Sequence, residues 1–116
     1  RGAWVIGSQM EQKNAYLDLI EKVRSGYKPS PKSSFIEADR KLNETYKKIM
    51  ANLKKKADDY NVPRVDDVRD VQRLWIPYRD ASAKLFSAIS SSVSEDTWKC
   101  WLTEVREKQL KDILSL

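Results

Sequence analysis

Histidine is absent from these 116 residues, cysteine occurs once at Cys100, and there are three glycines and four prolines. Without histidine, the usual nucleophilic triads and the imidazole-built zinc sites cannot be assembled. A lone thiol with no histidine to activate it is not read as a nucleophile. Few glycines and prolines, with 41% hydrophobic and 34% charged residues, suit a helical globular chain rather than a disordered or all-β one. No apolar run approaches the roughly 20 residues needed to cross a bilayer. The chain opens on Arg1-Gly2-Ala3-Trp4, with neither an initiator methionine nor an apolar signal segment, which neither shows nor excludes export.

What is present is one domain's worth of chain and an uneven charge. The net charge is +5, and residues 1–60 hold 13 Lys/Arg against 8 Asp/Glu, whereas residues 61–116 hold 9 against 9. The excess is densest between Arg40 and Lys56. These lysines fall on the non-apolar positions of a long helix, so we read a solvated face rather than a nucleic-acid site. The paired carboxylates Asp58-Asp59 and Asp66-Asp67 fall at helix ends, where acidic residues act as caps. No enzyme, metal site or cofactor is expected.

The pattern predicts an all-α fold, an antiparallel bundle of about four helices. Trp4-Val5-Ile6 is a short apolar arm, and Ser8-Gln9-Met10-Glu11 has the form of a capping box. A first helix follows through Tyr16, Ile20 and Val23, and Gly26 supplies a left-handed stop. Residues 27–32, with Pro29 and Pro31, form a linker, so residues 1–33 are an arm, helix and linker preceding a domain over 34–116. Ser34-Phe35-Ile36-Glu37 is a second capping box. It opens a helix of about 25 residues, roughly 37 Å long, with Ala38, Leu42, Ile49, Leu53 and Ala57 on one face. Asp66 or Asp67 is expected to cap a third helix through Val68, Val71, Trp75, Leu85, Phe86 and Ile89. That helix should kink at Pro77, which removes a backbone hydrogen bond. Ser94 caps the last, through Trp98, Trp101 or Leu102, Val105, Leu110, Ile113 and Leu114.

The third helix carries an unusual stripe, Gln72, Trp75 or Ile76, and Arg79, which is neither plain core nor plain surface. Folding helices two and three back at about residue 61 sets Asn43 opposite Arg79 and Tyr46 near Trp75 and Tyr78. Asp39, Asn43 and Tyr46 share a face. The expectation is a largely buried polar cluster in which Arg79 donates to Asn43 or Asp39 and Gln72 bonds near Tyr46. The other reading is that Asp39, Asn43, Gln72 and Arg79 line a ligand pocket.

Two motifs stand out: Ala38-Asp39-x-x-Leu42-Asn43-x-x-Tyr46, and Gln72-x-x-Trp75-x-x-Tyr78-Arg79-Asp80. With Cys100-x-x-Thr103-x-x-Arg106, they resemble the small bacterial family named after the lysozyme inhibitor LprI, over roughly residues 34–110. The resemblance implies an exported, mostly helical domain of the bacterial envelope, periplasmic or secreted, whose named member inhibits lysozyme. The chain departs from the family in its cysteines. Ala83 stands where members often have one, and another is missing near Ser30 to Ser34. Turning the second hairpin at about residue 92 sets Ala83 opposite Cys100, which looks like half of a lost disulfide and is expected as a buried free thiol.

The function expected is therefore non-catalytic binding and inhibition of another protein, a cell-wall hydrolase, toxin or lysozyme. Candidate contacts are the connections holding Tyr27, Lys28, Tyr60, Asp66, Asp67 and Asp70. The alternative is a structural or anion-binding envelope domain using Lys47, Lys48, Lys54, Lys55 and Lys56.

Overall fold

Four α-helices and no strand make up the described residues, 9–114, of the computed structural model. They are α1 (Gln9–Arg24), α2 (Phe35–Lys55), α3 (Val65–Ile89) and α4 (Glu95–Leu114). Among the described residues no helix is long and apolar enough to cross a membrane. The arm at Trp4-Val5-Ile6 and the cap expected at Ser8 lie outside them.

Local chemistry sets most of the ends. Gly26 adopts φ +98°, a region costly to any residue with a Cβ. There its N–H reaches the Val23 carbonyl at 3.1 Å and the Tyr27 N–H reaches Lys22 at 3.1 Å, a Schellman stop. Ser34 caps α2 by accepting from the Glu37 N–H at 3.2 Å. The Glu37 carboxylate completes no reciprocal box, because it turns to the Arg40 guanidinium one turn on. Ser94 caps α4 by accepting from the Thr97 N–H at 3.2 Å. At α3 the expectation fails: the cap position is Arg64, with no side-chain bond, and Asp66 and Asp67 sit inside the first turn. There they still favour the helix, as negative charge beside its positive end. The helix runs on through Pro77 as a single element.

The expected zipper between α2 and α3 is not the main contact. The most extensive packing joins α2 to α4, followed by α3 to α4, while α2 and α3 touch sparsely. Residues 56–64 form a connection long enough for two consecutive helices to part. The short turn at 90–94 gives α3 and α4 no such freedom, and they pair. Helix α4 thus runs through both parts of the core. Trp98 and Leu102 belong to a cluster with Val23, Ala83, Phe86 and Val93. Leu110 belongs to another with Leu42, Ile49, Leu53, Val62 and Val68. In the first, Phe86 meets Trp98 edge-on at 5.3 Å, and Trp98 meets Trp101 likewise at 5.8 Å.

Polar bonds fasten α4 to what precedes it. Thr45 Oγ1 donates to Glu107 at 2.8 Å. The Lys32 N–H (3.0 Å) and the Ser33 hydroxyl (2.7 Å) both donate to Glu104, which clips the proline-containing linker to the bundle.

Candidate functional site

Arg79 is held between α2 and its own helix, α3. Its side chain is buried, its guanidinium lies 5.0 Å from the Phe35 ring and 5.3 Å from the Trp75 ring. Nε donates to Asp80 at 2.9 Å, and Nη1 lies 3.6 Å from Asp39. A cation between two rings, its charge met by two half-exposed carboxylates, needs no hydration on its buried side. Asp39, Trp75, Arg79 and Asp80 therefore meet in space.

The other sequence-singled residues distribute differently. Asn43 is exposed and does not face Arg79, because α2 turns its buried stripe to α4 rather than to α3. Tyr46 packs, half-buried, on the cluster around Leu42 and Ile49. Gln72 is buried, but its partner is Arg106 and not a group near Tyr46: Arg106 Nε donates to Gln72 Oε1 at 3.1 Å. Tyr78 turns its ring to Tyr16 of α1, 5.6 Å away, and Tyr16 shares a 3.0 Å hydrogen bond with Ser82. Burial raises the Tyr78 pKa, Tyr16 raises it further and Ser82 works against both.

Of the residues expected on connections, Asp66, Asp67 and Asp70 belong to α3 instead, and Tyr27 is pinned between Lys22, 4.1 Å from its ring, and Trp101 at 5.6 Å. Lys28 is exposed, Tyr60 is almost wholly so, and Asp66 pairs with Arg69 at 2.7 Å. Asp67 is half-buried in α3 and Asp70 is exposed. Cys100 is a buried free thiol, and its Sγ lies 2.9 Å from the Ser33 carbonyl. The thiol thus faces the 30–34 linker and not Ala83. Ala83 packs instead with Phe86, Trp98 and Leu102.

Two features take on a role only in the folded chain, although Arg106 already closes the Cys100-x-x-Thr103-x-x-Arg106 motif. Arg106 occupies an otherwise apolar stripe with Leu102 and Leu110, a break in pattern like that of Gln72 on α3. Its guanidinium lies 5.7 Å from the Trp75 ring, on which Arg79 also stacks. Helix α1 supplies the second feature: with α3 and α4 it encloses a groove of about 530 Å³ whose walls include Tyr16, Trp75, Tyr78, Trp101 and Arg106. Beside it α3 presents an uncovered apolar face. Leu74 is 72% exposed, Tyr78 42% and Leu85 40%, at a spacing that puts all three on one side. Leu17 of α1, 52% exposed, follows the Tyr16 that touches Tyr78. Leu85, one of the apolar positions through which the sequence runs this helix, is thus on its open side.

The family model described as lysozyme inhibitor LprI matches residues 32–111, more than half of the chain. The chain belongs to the LprI family. The match takes in α2, α3 and nearly all of α4, and so the whole Asp39–Arg79–Trp75–Arg106–Gln72 assembly, while α1 lies outside it. Comparison with curated proteins and with solved structures finds no match. In this LprI-family chain the matched region carries the polar assembly, and α1 covers one wall of it.

Proposed function

We propose that the chain is a non-catalytic protein of the bacterial envelope that binds and inhibits a cell-wall-degrading enzyme, a lysozyme or a rival cell's toxin. The observation that carries this reading is the LprI match over residues 32–111. The uncovered face of α3 supports it. Leu74, Tyr78 and Leu85 make an apolar and aromatic centre, and exposed Arg73 and Lys84 make a charged margin, the layout of a protein-binding patch. Tyr60, 98% exposed on the 56–64 connection, is a second contact.

Charge selects among targets. The chain carries +5, so long-range attraction favours an acidic enzyme over a strongly basic lysozyme. An immunity role against an acidic toxin therefore ranks ahead of defence against a basic lysozyme. The anion-surface alternative rests on Lys47, Lys48, Lys54 and Lys55, exposed on α2. A contact of that kind weakens steeply with salt, whereas one centred on Leu74 and Tyr78 holds.

The test is clearance of a peptidoglycan suspension by a panel of acidic and basic muralytic enzymes, with and without the protein. At least one acidic member should be blocked at near-equimolar protein. An unaffected panel, or clearance by this protein alone, contradicts the reading.

A further inference from the structure

We infer that the groove between α1, α3 and α4 is a binding site for a small molecule bearing one carboxylate on an apolar, ring-containing body, with Arg106 as the anion's partner. The inference goes beyond enzyme inhibition and does not rest on it.

The first ground is a missing countercharge. Arg24, Arg40, Arg69 and Arg79 each pair with a carboxylate. Among the described residues Arg106, half-buried in the bundle, has only amide oxygens for partners: Gln72 at 3.1 Å, and Gln109 at 3.5 Å, the outer limit of a hydrogen bond. Amides orient a guanidinium without neutralising it. Most of its five N–H donors remain for something else. The absence of a carboxylate is felt energetically, since burial alone pushes the Arg106 pKa down.

The second ground is where those donors sit. Arg106 lines the groove of about 530 Å³, within the usual range for small-molecule sites. Among the described residues the one fully enclosed side-chain polar atom without a partner is Trp98 Nε1, so Arg106 Nη2, which bonds neither Gln72 nor Gln109, is not sealed in. The third ground is the walls. Tyr16, Trp75, Tyr78 and Trp101 offer ring faces and edges around the charge, and Leu19, Leu102 and Val105 complete an apolar lining. The Arg106 guanidinium already lies over Trp75, which holds its plane in position for a two-pronged contact with a carboxylate. An inorganic anion would leave these walls unused, and a neutral aromatic would leave the charge unmet.

The experiment titrates the whole protein with 3-phenylpropanoate and indole-3-propanoate, read by calorimetry and, for the non-indole probe, by fluorescence of Trp75 and Trp101. Acetate and 3-phenylpropanamide serve as controls. A short capped peptide with one internal glutamate beside phenylalanine presents the same chemistry from a protein source. Saturable binding of the aromatic carboxylates, at least about tenfold tighter than that of acetate or the amide, is expected. Arg106→Gln should weaken it by a similar factor. Gln109→Glu, which places a rival carboxylate beside Arg106, should do the same with the melting temperature held or raised. This second variant keeps the test intact if the first destabilises the bundle. Equal binding of acid and amide, no saturable binding, or affinity unchanged in Gln109→Glu overturns the site. Binding of the peptide alone overturns the small-molecule assignment.

Discussion

Arg79 shows how a single charged side chain can hold helices together. Phe35 and Trp75 flank it, and Asp39 and Asp80 neutralise it from the edge. Arg79→Ala removes the stacking and leaves two carboxylates facing an empty slot. A loss of about 2 kcal/mol is expected, seen as a fall in melting temperature of roughly 5–10 °C. Arg79→Lys, which keeps the charge but not the flat stacking surface, should recover only part of it. Tyr78 gives a pH signature. Its folded pKa is raised, so its contribution is complete below the unfolded value and is lost as pH rises through the folded one. Stability should therefore decline above about pH 10, and Tyr78→Phe should flatten that decline in melting curves taken across the range. Cys100 is raised by burial first and by Glu104 second, which leaves less thiolate at any given pH. Alkylation by iodoacetamide at mildly alkaline pH should wait for unfolding, and rapid labelling of the native protein would contradict its placement. At this scale the sequence was half legible. The Gln72–Trp75–Arg79 stripe announced a buried polar assembly, and Asp39 joined it. Asn43 did not, because a motif's spacing shows which residues share a face and not which helix that face meets.

The helix ends were more legible than the helix partners. Caps are local chemistry, so Ser34, Ser94 and Gly26 could be read from their immediate neighbours. Gly26 sits at φ +98° with open space where a Cβ would go, so only backbone strain opposes substitution. Gly26→Ala should cost about 1 kcal/mol, measurable as a shift in the denaturant midpoint with its slope unchanged. The α3 cap falls instead at Arg64, directly after Pro63, and the two aspartates act from inside the first turn. The pairing of α2 with α4 depends on tertiary bonds, Thr45 to Glu107 and Lys32 and Ser33 to Glu104, whose partners lie more than sixty residues apart. No periodicity within α2 reveals them.

Across the whole molecule, α4 is the strut and α3 carries the face proposed for recognition. Helix α4 shares apolar side chains with both core clusters and accepts the bonds that fix the linker and α2. That leaves the outer side of α3 uncovered, with Leu74 the most exposed of its large apolar residues. The sequence marked this protein's family through its buried motif, yet the face proposed for recognition lies on the opposite logic, apolar residues where solvent should be. The measurement that bears most directly on this account is inhibition of the blocked muralytic enzyme by a Leu74→Asp, Leu85→Asp double variant. Both side chains are exposed, so the melting temperature should stay within a few degrees of the parent while inhibition falls by at least about a hundredfold. Full inhibition by a correctly folded double variant would contradict it.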